Sequence, residues 1–385
     1  MPIVGQNNHI RKKLMEKLKL VIDSKIPFMH GFAEQLGEVQ YISGADICAA
    51  DVRDADVLIV RTRTHCNREL LEGSKVRFIA TATIGFDHID TDYLKKAGIA
   101  WTNCPGCNAS SVAQYIESVL LLLNLHGCWD ETRNFTPASS DIVAPTVDFS
   151  QFRKLTLGIV GVGNVGKEVL KKTENMGFKE ILLCDPLRAE KEGAAGFVTL
   201  EEMAQRCDIV TFHTPLTQVP QPYPTFHLAS DSFFTHFRPG AVVINSGRGE
   251  VFDTEALKKS LAEGRLRTAV IDTWEFEPHI DRQLLDSVFI GTPHIAGYSA
   301  DGKANGTRMS LQAVARFFER DEAPFAAVCA PTLSPDYAYY PQSAAHVGVP
   351  QLRLYDPTRD SEALKLKPET FEHLRGDYPL RRECR

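Results

Sequence analysis

Leu157-Gly158-Ile159-Val160-Gly161-Val162-Gly163-Asn164-Val165-Gly166-Lys167-Glu168-Val169 decides the fold class of this 385-residue chain. An apolar run suited to a buried strand leads into Gly161-x-Gly163-x-x-Gly166, and a segment with helical spacing follows. The glycines have separate tasks. Gly161 makes the tight turn, Gly163 lets the backbone approach a pyrophosphate, and Gly166 lets the helix pack on the strand. The helix begins near Asn164 and Val165, and its free N–H groups and positive dipole end face the anion. Glycine triplets also occur in ordinary turns, so the motif by itself is weak. Its context is stronger: Lys179 to Asp185 reads as the next strand, and Asp185 lies 19 residues after Gly166. A carboxylate at that spacing meets the adenosine ribose hydroxyls of a dinucleotide. An acid there repels a 2′-phosphate and favours NAD over NADP, although Arg188 nearby works in the other direction.

Length and composition set the frame around this motif. At this length two or three domains are expected, and 43% hydrophobic residues can bury sizeable cores. A net charge of −6 gives no general attraction to nucleic acid or anionic membrane, so an anionic ligand needs a local cationic pocket. The densest apolar run, Val119 to Leu123, is interrupted at Asn124 and is too short to span a bilayer. No signal-peptide pattern precedes it. The expectation is a soluble, cytoplasmic protein. The nine scattered cysteines suit reduced thiols. Cys104-Pro105-Gly106-Cys107 has redox or zinc half-site spacing, but no second pair completes it, so a Pro-Gly turn and no bound metal are expected.

Working outward, the first ~125 residues alternate strands and helices. Strands are expected at Leu18 to Asp23, Val39 to Ile42, Asp56 to Val60, Lys75 to Ala80 and Ile99 to Thr102. Helices are expected at Met29 to Leu36, Thr91 to Ala97 and Ala109 to Leu125, the last capped by Asn108. Asp130 to Asp148 reads as a linker or exposed insertion. A second unit runs from about Lys154, with strands at 208–213, 241–245, 268–272 and 288–291 and helices at 200–206 and 254–263. A helix from about Asn305 to Glu319 returns to the first domain. The fold class is therefore α/β, with two doubly wound parallel-sheet domains. The expected division is 1–17 as an extension, 18–126 with 298–321 as a discontinuous substrate (lid) domain, 127–297 as the NAD-binding Rossmann domain, and 322–385 as a small C-terminal α+β domain. Prolines break up that last segment. Yet Tyr337, Tyr339, Tyr340, Tyr355, Phe371 and Tyr378 give it more aromatic surface than a disordered tail carries.

Ligands of open parallel sheets bind beyond the carboxyl ends of the strands. Three ionisable residues fall there: Arg248, Glu277 and His294. Together they suit oxidation of a 2-hydroxy acid. Arg248 can hold the substrate carboxylate by two parallel hydrogen bonds. His294 can accept the C2 hydroxyl proton as hydride leaves for the nicotinamide. Glu277 can orient the imidazole and favour its protonated form. Arg61 and Arg63 follow a strand of the first domain, and one of them is expected to bind a substrate phosphate.

With these residues in place, the chain resembles the D-isomer-specific 2-hydroxyacid dehydrogenases. The resemblance rests on Thr83-Ile84-Gly85-Phe86-Asp87-His88-Ile89-Asp90, Gly161 to Gly166, His213-Thr214-Pro215-Leu216-Thr217, Asn245-Ser246-Gly247-Arg248-Gly249, Asp272 to Pro278 and Thr292-Pro293-His294-Ile295-Ala296-Gly297. It implies NAD contacts at Asp185, Thr214, Ser246, Gly247, Arg248, Asp272 and Gly297, and substrate contacts at Thr62, Thr83 and Tyr298. The tail, Tyr355-Asp356-Pro357 through Phe371-Glu372-His373-Leu374-Arg375-Gly376-Asp377-Tyr378-Pro379, is similar to that of one branch acting on a phosphorylated 2-hydroxy acid. General members lack it. In that branch it is a dimerisation domain, which implies a homodimer here. The alternatives are a relative acting on 3-phosphoglycerate and an NAD(H)-sensing scaffold.

Overall fold

The computed structural model describes residues 17–130, 134–138, 147–332 and 349–383. Two compact units arise: Met1–Asn108 with Ala300–Thr332, and Ala109–Ser299 with Leu333–Arg385. The first holds a five-stranded sheet in the order β2-β1-β3-β4-β5. Its strands are β1 (Leu18–Asp23), β2 (Gly37–Ile42), β3 (Val57–Val60), β4 (Phe78–Thr81) and β5 (Ala100–Thr102). All pairings are parallel. β3 and β4 are buried along their whole length, as a sheet covered on both faces requires. The helix Ala300–Phe317 returns to this unit, and Gly306 lies so close to the Ala82 carbonyl that a Cβ there would sit 2.9 Å from its oxygen.

The second unit holds a six-stranded sheet in the order β11-β10-β9-β8-β6-β7. Its strands are β6 (Thr156–Val160), β7 (Glu180–Cys184), β8 (Ile209–Phe212), β9 (Ala241–Asn245), β10 (Leu266–Ile271) and β11 (Ile290–Gly291). These too pair only in parallel. The strand order reverses between β6 and β8, which opens a crevice at their carboxyl ends. Both doubly wound sheets expected from the sequence are present.

The helix Ala109–Leu125 is buried almost all round, including Ser111, Gln114, Ser118 and Asn124. The tail meets Ser111, Gln114 and Ser118, while Asn124 Nδ2 donates to the Asp148 carbonyl at 3.2 Å. Gln114 Nε2 donates to the Arg382 carbonyl at 3.1 Å, and Ser118 Oγ donates to the Tyr355 carbonyl at 2.9 Å. A second tail segment, the helix Thr358–Leu366, covers the edge strand β11: Gly291 N–H donates to Ser361 Oγ at 3.0 Å. Tyr355, Phe371 and Tyr378 are all buried.

Several local expectations need correction. Met29 to Leu36 forms only a short 3-10 turn, Ala33–Gln35, because Phe28 and Gly31 have positive φ and break the helical path. Asn108 does not cap the following helix through its Oδ1, which is buried without a hydrogen-bond partner. The tail is helical among its described residues, with one isolated bridge between Ser299 and Arg381, so the β part of the expected α+β domain has no strand there. Phe135, Ala138 and Val147, read as exposed insertion, pack against the core of the second unit. Residues 1–16 and most of 130–148, and with them Tyr337, Tyr339 and Tyr340, lie outside the described residues. Cys104 and Cys107 are buried free thiols, with Cys104 Sγ 3.3 Å from the Gly306 carbonyl oxygen. Among the described residues, no helix is long and apolar enough to cross a membrane.

Candidate active site

The glycine loop opens the crevice of the second sheet. Gly161 has φ +82°, and a Cβ on it would meet Thr214 and His213, the residues that follow β8. Gly166 packs so tightly that a Cβ would lie 2.2 Å from the Gly161 carbonyl oxygen. At Gly163, by contrast, nothing lies within 4 Å of the added carbon. The helix Asn164–Thr173 starts just beyond it. An open backbone face at Gly163 and a helix N-terminus just beyond it suit a pyrophosphate. Thr214 Oγ1 is buried beside the turn without a protein partner, which fits a cofactor-facing hydroxyl.

Asp185 follows β7 at the expected place. Its Oδ2 accepts from Val162 N–H at 2.9 Å, and its Oδ1 caps the helix Pro186–Glu192 through Arg188 N–H at 3.1 Å. The same carboxylate that would face a ribose therefore also fixes the glycine loop. Arg188 is turned to other work: it pairs with Glu192 and donates to the Val162 carbonyl at 2.9 Å.

Beyond β9, Asn245 grips the Ser246-Gly247-Arg248 loop from both sides. Its Oδ1 accepts from Gly247 N–H at 3.1 Å and its Nδ2 donates to the Arg248 carbonyl at 2.9 Å. Arg248 Nη1 donates to the Gly247 carbonyl at 2.8 Å. A Cβ on Gly249 would fall 1.9 Å from the Trp274 carbonyl carbon, so the Arg248 loop lies directly against the segment that leads to Glu277. Ser246 Oγ is 3.2 Å from His213 Nδ1, whose other nitrogen is 3.1 Å from Thr211 Oγ1. Burial holds His213 neutral, down to about 3.

Glu277 and His294 form the centre of the site. The two carboxylate oxygens lie 3.1 and 2.9 Å from His294 Nδ1, and Oε1 also accepts from Trp274 N–H at 2.9 Å. Burial alone would raise the Glu277 carboxyl, but His294, the Trp274 N–H and Arg375 together hold it below the usual range. A carboxylate on Nδ1 selects the tautomer with the proton there and leaves Nε2 as the basic nitrogen. His294 itself has φ +56°, an uncommon conformation for a residue with a side chain. Its N–H donates to the Asp272 carbonyl at 2.8 Å.

Asp272 holds the residues that follow. Its Oδ1 accepts from Thr292 Oγ1 at 2.7 Å and Ile295 N–H at 2.8 Å, and its Oδ2 accepts from Ala296 N–H at 3.0 Å. Burial raises this carboxyl, with the surrounding donors opposing. Gly297 and Tyr298 complete the loop. From the tail, Arg381 is fully buried and donates to the carbonyls of Ile295, Ala296 and Tyr298 at 3.0, 2.5 and 2.7 Å. Its guanidinium stacks 3.8 Å from the Tyr355 ring centroid. The supporting residues Asn245 and Arg375 lie within the stretches that carry the resemblance, whereas Arg381 has no local sequence signal. Arg381-Arg382-Glu383 reads as a solvated charge run until its distant partners are known.

The other predicted residues belong to the first unit. Thr83 follows β4; its hydroxyl donates to the Gly85 carbonyl at 2.8 Å and lies 2.7 Å from Thr81 Oγ1. Arg61, Thr62 and Arg63 follow β3, where the strand order reverses around β1. Arg61 Nε pairs at 3.1 Å with Asp23, whose side chain is only 1% exposed. Thr62 and Arg63 are exposed.

Comparison with known proteins agrees with this geometry. A family model described as D-isomer specific 2-hydroxyacid dehydrogenase, NAD binding domain, matches residues 125–296. The chain is 51% identical over 367 residues to an erythronate-4-phosphate dehydrogenase of Bacteroides thetaiotaomicron, covering 95% of this chain and 97% of that one. It is 39% identical over 376 residues to the protein of the same name from Escherichia coli, covering 95% and 92%. Among solved structures, D-lactate dehydrogenase from Aquifex aeolicus complexed with NAD and lactic acid is similar, with TM-score 0.61, 25% identity and coverage of 82% and 100%. The holo form of Rhodotorula graminis D-mandelate dehydrogenase has TM-score 0.62 at 23% identity, covering 79% and 95%, and shares the fold.

Proposed function

Because the chain belongs to the erythronate-4-phosphate dehydrogenase family, within the D-isomer-specific 2-hydroxyacid dehydrogenases, we propose that it oxidises 4-phospho-D-erythronate with NAD. The product is (R)-3-hydroxy-2-oxo-4-phosphooxybutanoate, a step of pyridoxine and pyridoxal 5′-phosphate biosynthesis. When bound, NAD supplies the nicotinamide that takes the hydride from C2. The chain's own residues do the rest. His294 Nε2 takes the C2 hydroxyl proton, because Glu277 engages the other nitrogen. Arg248 holds the substrate carboxylate, with Thr62, Thr83 and Tyr298 as further substrate contacts.

The loop from Gly161 to Gly166 cradles the pyrophosphate, with Asn164 and Val165 offering the helix N-terminus. Asp185 faces the adenosine ribose. Thr214, Ser246, Gly247, Asp272 and Gly297 line the rest of the cofactor site. At least one of Arg61 and Arg63 binds the 4-phosphate, Arg61 being paired with Asp23. The proposal includes cytoplasmic residence and a homodimer formed through residues 322–385. It also includes substrate binding by 18–126 with 298–321 and NAD binding by 127–297.

The carrying observation is the Glu277–His294 pair at 2.9 Å, at the carboxyl end of a sheet that also bears the glycine loop. The test is the rise of NADH absorbance on adding 4-phosphoerythronate to enzyme and NAD. Turnover is expected; NAD binding without turnover would exclude the activity.

A further inference from the structure

The Glu277 carboxylate has a partner that the chemistry above leaves unused. Arg375 Nη1 lies 3.5 Å from Glu277 Oε2, with the two side chains 21% and 18% exposed. The same guanidinium bonds the Tyr298 side chain. Burial disfavours its charge, but Tyr298 and Glu277 more than offset this. Arg375 is delivered by the helix Phe371–Gly376, which Phe371 and Leu374 anchor in the apolar core of the second unit. Tyr378 then packs edge-on against Tyr298, ring centroids 6.1 Å apart. A helix fixed at its apolar face thus aims one cation at two residues of the site.

We propose that Arg375 is a positioning residue that ties Glu277 to Tyr298 and keeps the Glu277–His294 pair ready to accept a proton. A carboxylate alone beside an imidazole stabilises the imidazolium, which suits a proton donor. A guanidinium on the far side of that carboxylate repels the imidazolium and shares the carboxylate's charge. The pair is then biased toward the form that oxidation consumes, with Nε2 unprotonated. Among the described residues, the other titratable groups facing the pair are Asp272, behind the His294 loop, and the Tyr298 phenol. The fork geometry of arginine lets one group serve both acceptors, which an ammonium does less well.

The inference rests on the oxidation proposed above, and the test separates the two. Initial rates with 4-phosphoerythronate and NAD are followed across pH for wild type, Arg375→Gln and Arg375→Lys, with NADH binding as a check of the fold. Arg375→Gln is expected to move the acid limb of kcat/KM upward by ~0.5–1 pH unit and to lower kcat about 10-fold. Arg375→Lys is expected to return the limb to the wild-type position while kcat stays partly reduced. If Arg375→Gln does not fold, the lysine variant decides alone, and a displaced limb in it overturns the inference. An unmoved limb in Arg375→Gln also overturns it, whatever happens to kcat, because a merely structural arginine would leave the limb in place. Wild-type enzyme inert toward 4-phosphoerythronate would instead sink the proposed activity and this inference with it.

Discussion

Asp272 and Arg381 hold one loop by its opposite polar groups: the carboxylate accepts the N–H groups of Ile295 and Ala296, and the guanidinium donates to the carbonyls of Ile295, Ala296 and Tyr298. The segment that presents His294 therefore has its backbone satisfied by charged side chains instead of a neighbouring strand. Arg381→Leu removes the guanidinium donors to the carbonyls of Ile295, Ala296, Tyr298 and Ser111 and to Gln114 Oε1, and removes the stacking on Tyr355. We expect a loss of ~2–5 kcal/mol, read as a lower denaturation midpoint, together with reduced kcat. A midpoint equal to wild type would show that water replaces the guanidinium at no cost.

His294→Ala removes the proposed base while leaving the cofactor loop intact. The expected loss is ~10²–10⁴ in kcat with NADH binding retained. Undiminished kcat would assign proton transfer to another group.

Asp185 carries two roles that one substitution separates by readout. Asp185→Ala should narrow the preference for NAD over NADP, measured as a ratio of kcat/KM values. It should also lower stability by ~1 kcal/mol, because the helix Pro186–Glu192 loses its cap. A preference ratio that stays fixed while stability falls would leave Asp185 as a cap alone.

Arg61 and Arg63 follow the same strand but differ in their surroundings. Arg63→Ala is expected to raise KM for 4-phosphoerythronate. Arg61→Ala leaves the buried Asp23 with only its backbone donors at Lys25 and Gly44, and should cost about 2 kcal/mol. Wild-type KM in the double variant would remove both from phosphate binding.

Stability should fall with acid for a reason visible in two histidines. Burial holds His88 down to about 4 and His213 down to about 3, against an ordinary value of 6.5. Both stay neutral in the fold while the unfolded chain takes up protons below about pH 6.5. The unfolded state thus binds more protons as pH drops, so their contribution is complete above about 6.5 and is lost progressively toward 4 and below. Urea unfolding at about pH 7 and about pH 5 should show this slope, and His213→Gln should flatten it.

The parts of the fold that the sequence disclosed are those governed by short-range pattern. Val57-Leu58-Ile59-Val60 is apolar throughout and β-branched at every position but Leu58, and it forms a strand buried along its length. Gly161, Gly166 and Asp185 were legible because a turn, a close approach and a strand end each demand one residue type at one spacing. Met29 to Leu36 misled because its apolar spacing suits a helix while Gly31 prefers a left-handed backbone. Ser111, Gln114 and Ser118 also gave no sign of burial, since partners of each lie in the tail. Periodicity tells which residues seek the interior; it does not tell which distant segment covers them. For the same reason nothing local in the sequence marks Arg381 as buried.

The pairing of Ser111 with Glu383, whose carboxylate accepts from both Ser111 and Ser299, spans 272 residues of chain. At synthesis rates of ~5–20 residues per second, roughly 14–54 s separate the making of its two ends. During that interval the helix Ala109–Leu125 lacks its polar cover, and the loop bearing His294 lacks the grip of Arg381. Long-range closures of this kind raise contact order and slow the final folding step. A nascent chain that stops before the tail therefore carries the glycine loop and its sheet without the tail contacts that hold the loop bearing His294 in the complete fold.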